Sequence, residues 1–162
     1  MDYQIRSIQA NDNEAIEAVI RACLIEYDAA REGTAWADPY LNRLSEVYEE
    51  ENTAYWVITN QDDKIVGGLG IGPLEGEDHI CELQKMYLMP EARGQGIASL
   101  AIEKALTFAK KYYDFCYLET LSNMKEAQAR YESFGFKRLD KPLGHTDHHL
   151  CDVCYLKDLS QE

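Results

Sequence analysis

The chain has 162 residues, with 29 acidic against 16 basic side chains and a net charge of −13. That length holds one domain with a full core. The charge argues against nucleic acid or an anionic membrane as the main partner and mildly favours a cationic one, such as an amine. No run of some twenty apolar residues is present, so no membrane span is expected. The start, Met1-Asp-Tyr-Gln-Ile-Arg6, lacks the basic and apolar regions of a signal peptide. Five scattered cysteines, an odd number, point to reduced thiols and a cytoplasmic setting.

In chain order, residues 3–8 alternate as a strand does. Asn11-Asp-Asn-Glu14 has the spacing of a capping box, and Ile16, Val19, Ile20, Cys23, Leu24 and Tyr27 follow at helical spacing, so a first helix is predicted over 12–27. Asp38-Pro39 has the form of a second helix start, with Leu41, Leu44, Val47 and Tyr48 on its apolar side. The polar connection 31–40 is a candidate acceptor-binding loop, because Trp36 and Tyr40 are large aromatics within it. Residues 54–59 and 64–71 form a predicted hairpin, with Gly67, Gly68 and Gly70 marking a bulge or a close approach.

Residues 80–89 are mostly apolar and free of glycine and proline, as a buried strand would be. Pro90 stops that strand, Arg93-Gly-Gln-Gly96 follows, and a helix is predicted over 94–112. Glycines between a strand and a helix let a ligand approach the backbone and leave the first helical amides unpaired, which favours an anion. The turn is not a nucleotide P-loop, since Gly96 precedes Ile97-Ala98 and not Lys-Ser/Thr. It also lacks the third glycine of a dinucleotide fold, which Ser99 replaces. A strand over 115–120, a helix carrying Met124, Ala127, Tyr131 and Phe134 with Gly135 as its cap, and closing strands over 136–139 and 150–156 complete the chain.

Arg93-Gly-Gln-Gly-Ile-Ala98 resembles the Gln/Arg-x-x-Gly-x-Gly/Ala signature of the GNAT superfamily of acetyl-CoA-dependent N-acetyltransferases. Ala127-x-x-x-Tyr131-x-x-x-Gly135-Phe136 resembles a second hallmark of that family, and the order β-α-α-β-β-β-α-β-α-β-β over 1–162 matches its fold in a single domain. The resemblance implies a mixed α/β fold: a mostly antiparallel sheet of six to seven strands flanked by four helices. It implies that Met86, Tyr87 and Leu88 present an open strand edge to the pantetheine arm of acetyl-CoA, with the Leu88 amide on the thioester oxygen. Arg93, Gly94, Gln95, Gly96, Ile97, Ala98 and Ser99 would hold the diphosphate. Glu82 would be the base that deprotonates the amine, and Tyr131 the acid for the departing thiolate.

The family often places Asn seven residues before this tyrosine. Here Met124 stands there and Asn123 is displaced by one, which puts a cofactor contact by Asn123 in doubt. Strand parity puts Glu82, Gln84, Met86 and Leu88 on one face unless a bulge intervenes. The segment from His145 to Cys154 contains metal-ligand residue types, but the spacing of Cys151 and Cys154 in a strand sends them to opposite faces, and no metal is expected. Neither Cys81 nor Cys116 has a neighbouring cue for an activating base. The expected reaction is direct transfer from acetyl-CoA to a primary amine of a small molecule, an amino acid or polyamine-like acceptor. The alternatives are a protein N-acetyltransferase and a non-catalytic acyl-CoA-binding module. Monomer and homodimer both stay open.

Overall fold

The computed structural model describes residues 2–143 and 151–160. Strand β1 (Gln4–Ser7) leads into helix α1 (Asn13–Glu26), then a one-turn helix α2 (Leu44–Val47). Strands β2 (Ala54–Thr59), β3 (Ile65–Pro73) and β4 (Ile80–Leu88) follow, then α3 (Ile97–Lys110), β5 (Phe115–Thr120), α4 (Lys125–Ser133), β6 (Lys137–Leu139) and β7 (Val153–Asp158). The seven strands form one sheet in the order β1-β2-β3-β4-β5-β7-β6. Its pairs are antiparallel except β4–β5, which is parallel.

Each face of the sheet buries its own apolar cluster. Ile16, Ile20 and Leu24 of α1, joined by Leu41 and Leu44, cover one face with Tyr55 and Val57 of β2. Ala101, Ile102 and Ala105 of α3 cover the other with Trp56, Leu83 and Tyr155. The alternation of β2 and the 3.6-residue spacing of the helices produce these two layers directly.

Three local expectations change. The cap before α1 sits two residues early: Asp12 accepts from the Gln9 amide at 2.7 Å and pairs with both terminal Arg6 nitrogens at 2.7 and 2.9 Å. The Arg6 bond holds the Asp12 carboxyl below its usual range. The second helix does not start at Pro39. Arg43 at φ −145°, ψ 43° breaks the path, and the Asn13 side chain takes the Ser45 amide at 2.9 Å, so only one α turn forms. The third helix also starts later than predicted, at Ile97, because Gly94 and Gly96 adopt φ +75° and +83°. Gly135 caps α4 at φ +92°, with the Phe136 amide returning to the Tyr131 carbonyl at 3.1 Å.

Candidate active site

Strand β4 spans nine residues, yet only Ile80, Cys81 and Glu82 pair with β5. Beyond Glu82 the two strands part. A bulge lies at this point: Gly68 pairs with Tyr87 and Gly70 with Gln84, so Lys85 and Met86 together oppose Leu69. Lys85 takes φ +50°, and its carbonyl accepts from Tyr55 Oη at 2.8 Å. A bulge adds twist to its strand, and here it turns the second half of β4 away from β5. It also reverses side-chain parity. Cys81, Leu83, Met86 and Leu88 face the α3 layer, whereas Tyr87 faces α1. Glu82 and Gln84 are therefore on the opposite face from Met86 and Leu88, not the same one.

The glycines of β3 make room for this arrangement. Gly68, Gly70 and Gly72 alternate along one face of the strand, and a Cβ at each would lie 2.7 Å from Tyr55, 2.6 Å from Tyr55 and 2.8 Å from Gln84 respectively. The trough they leave holds Tyr55 and Tyr48, whose rings stand 5.2 Å apart. Tyr48 Oη donates to Gln84 Oε1 at 2.7 Å, and Gln84 Nε2 donates to Glu82 Oε1 at 3.0 Å. Burial pushes the Tyr48 hydroxyl well above its usual range, so it stays a donor. Glu82 is thus held by a relay that begins at Tyr48, at the end of α2.

Glu82 faces a cavity of about 260 Å³. Its walls include Asp38, Tyr40, Glu75, Lys85, Glu119 and Tyr131. Four carboxylates, those of Asp38, Glu75, Glu82 and Glu119, thus face one ammonium among the described lining residues. Lys85 Nζ is 2.5 Å from Asp38 Oδ2, and both side chains are almost wholly buried, at 5% and 6% exposure. The same ammonium lies 5.0 Å from the centre of the Tyr40 ring. Tyr117 Oη donates to Glu119 Oε2 at 2.6 Å. Cys151 also lines this cavity, and burial pushes its thiol up to about 12, so it is no nucleophile near neutral pH.

A second cavity, of about 80 Å³, opens between the parted strands toward the start of α3. Leu88, Gly94, Gly96 and Ala98 line it on one side, and Ala127 and Arg130 of α4 on the other. The Met89 amide donates to the Val66 carbonyl at 2.8 Å. In an antiparallel pair that bond makes Leu88 and Gly67 a non-hydrogen-bonded couple, so the Leu88 N–H points away from β3 and toward the gap. Glycine at the N-cap of α3 offers no side-chain acceptor, which leaves the first amides of that helix, through Ser99, for another partner.

Tyr131 stands where the cavities meet. Met86, Tyr87, Met124, Ala127 and Tyr131 line both. The Tyr131 ring packs on Phe136 and Tyr155, its hydroxyl donates toward Met86 Sδ at 3.8 Å, and burial pushes it up to about 12.

The structure brings together Glu82, Tyr131, Met86, Tyr87, Leu88, Gly94, Gly96, Ala98 and Tyr40. Arg93 also borders the second cavity, but each of its three nitrogens already has a partner: both terminal nitrogens pair with Glu26 at 2.7 Å, and Nε binds the Leu88 carbonyl at 2.9 Å. Gln95 reaches back to the Glu91 carbonyl and to Tyr3 Oη. Ile97, the first residue of α3, is buried in the apolar cluster on that face of the sheet. Trp36 lines neither cavity; its ring lies under Arg21, 4.6 Å away, and packs against the α1-side apolar cluster. The Asn123 side chain donates to the Tyr27 carbonyl at 2.9 Å. His145, His148 and His149 lie outside the described residues, and no His, Cys, Asp and Glu group fit for a metal occurs among the described ones. Sequence reasoning missed Lys85, Asp38, Gln84, Tyr48 and Arg130. A lysine within an apolar strand was a cue of the same kind as Glu82; the others carried none.

Comparison with known proteins agrees with this geometry. Residues 17–136 match the Acetyltransferase (GNAT) family. An uncharacterized N-acetyltransferase of Escherichia coli K12, YjgM, is 44% identical over 158 residues, covering 96% of this chain and 94% of that protein. Among solved structures, a GNAT-family acetyltransferase from Staphylococcus aureus Mu50 superposes with a TM-score of 0.85 at 21% identity, covering 97% of this chain and 99% of the other. PaiA N-acetyltransferase from Thermoplasma acidophilum, solved in complex with coenzyme A, gives 0.73 at 18% identity, over 98% and 99%. A parted β4–β5 pair, a glycine turn into α3 and a tyrosine at the junction thus occur in a chain that belongs to the GNAT family of N-acetyltransferases.

Proposed function

We propose that the protein transfers the acetyl group of acetyl-CoA to a primary amine of a small molecule, by direct attack while both are bound, and that the sheet running from residue 4 to residue 158 forms one catalytic domain. The observation that carries this reading is the pair of cavities meeting at Tyr131, one acidic and walled, the other opening at the start of α3. The walled cavity suits a small acceptor better than a peptide. Its carboxylates suit an ammonium, as in an amino acid or a polyamine-like molecule.

In this reading the amides from Gly94 to Ser99 hold the diphosphate, and the β4 edge at Met86, Tyr87 and Leu88 holds the pantetheine arm. Glu82 removes the proton from the acceptor nitrogen, whose ordinary pKa is about 10.4 for an alkylamine. The Leu88 N–H stabilises the charge that develops on the carbonyl oxygen. Tyr131 Oη gives its proton to the sulfur as the carbon–sulfur bond breaks. Thiol release from acetyl-CoA across a library of primary amines tests the reading. Turnover with a small amine is the expected result. Coenzyme A binding without thiol release from any amine would favour a non-catalytic module, and release only with peptides would favour a protein acetyltransferase.

A further inference from the structure

Building on the acetyl-CoA reading, we infer that Arg130 of α4, and not the signature arginine Arg93, is the cation that neutralises the bound diphosphate. The argument begins with what Arg93 is doing. A guanidinium has five N–H donors in one plane. In Arg93 the Nε–H goes to the Leu88 carbonyl, the two terminal nitrogens fork onto Glu26, and the group stands 5.6 Å from the centre of the Tyr27 ring. A bidentate carboxylate offsets its charge, so Arg93 presents the cleft with a wall of little net charge. To reach a phosphate it would have to break that fork and leave Glu26 as an extra negative charge at the same wall.

Arg130 lies across the same cavity from Gly94 and Gly96. Among the described residues its side chain has no hydrogen bond and no ion pair. Glu126, one turn earlier on α4, borders the cavity too. Without Arg130 the described wall would carry an uncompensated carboxylate and no free cation, in a chain whose net charge is already −13. Backbone amides orient an anion, and a local positive charge offsets the repulsion of such a field. Arg130 supplies it, and Arg93 acts as a positioning residue that ties the glycine turn to α1.

Binding of three ligands by calorimetry tests this: coenzyme A, 3′-dephospho-coenzyme A and pantetheine. In Arg130→Met the affinity for coenzyme A and for dephospho-coenzyme A falls by a similar factor, roughly ten-fold or more for a lost charge-assisted contact, while pantetheine binds as in the parent protein. Arg130→Lys recovers part of the loss. Arg93→Met, in contrast, weakens all three ligands alike and lowers Tm, because it loosens the wall and not a phosphate contact. Unchanged dephospho-coenzyme A affinity in Arg130→Met would overturn the diphosphate assignment in favour of the 3′-phosphate. A phosphate-dependent loss confined to Arg93→Met would overturn the proposal outright. A parent protein that fails to bind coenzyme A would instead sink the acetyl-CoA reading on which this rests. Thermal melts of Arg130→Met, expected to match the parent because that side chain has no hydrogen bond or ion pair among the described residues, separate lost binding from lost folding.

Discussion

At the scale of single residues, the proposed mechanism asks two side chains at the junction to do opposite things with a proton. Glu82 is held by Gln84 and Tyr48 with its oxygen toward the acidic cavity. Glu82→Gln keeps the shape and removes the base, so kcat/KM for the amine is expected to fall about 10²–10⁴-fold with the dissociation constant of acetyl-CoA unchanged. Equal turnover of the two proteins would remove Glu82 from the mechanism. Tyr131 is pushed up to about 12 by burial, with Arg130 pulling in the other direction. A phenol with a raised pKa stays protonated at every pH below that value. The pH–rate profile between about 6 and 9 should accordingly show no falling limb from Tyr131, and Tyr131→Phe should slow thiol departure throughout that range. A limb that disappears in the phenylalanine variant would contradict this.

The element scale is where most of what sequence could give was given, and where it stopped. Residues 81–136 were legible because their signals are local: a glycine turn after a proline-stopped strand, a 3.6-residue period, Tyr131 four residues before Gly135. The parity of β4 was not legible, since one extra residue at Lys85–Met86 reverses every later side chain and nothing in the strand's own composition announces it. The engagement of Arg93 was equally hidden. Its partner, Glu26, is 67 positions away, on an exposed face of α1 that reads as solvated charge. Lys85 and Asp38 show the same long reach, joining the bulge to the connection after α1. That pair is almost fully buried, so Asp38→Asn alone should cost about 3–5 kcal/mol, while Asp38→Asn with Lys85→Met should recover most of the loss. Chemical denaturation of both variants checks it, and additive losses would mean that the two groups act independently.

For the whole molecule, a charge of −13 acts on the proposed donor and acceptor before either is bound. The field repels a polyanion and attracts an ammonium. Its reach shrinks from about 30 Å at 0.01 M salt to about 8 Å at 0.15 M. The association rate of coenzyme A should therefore rise over that range, and that of a cationic amine should fall; stopped-flow binding measures both. Parallel changes would show that local groups around the cavities, and not the overall field, govern encounter. No helix among the described residues is long and apolar enough to cross a membrane.

The trough along β3 shows how much of the chemistry depends on absent atoms. A single methyl at Gly68 would collide with the Tyr55 ring that caps the Lys85 carbonyl, and one at Gly70 would press on both tyrosines. Either would disturb the bend in the neighbouring strand without touching a reacting group. Drift at these two positions would look conservative on paper and silence the enzyme from behind.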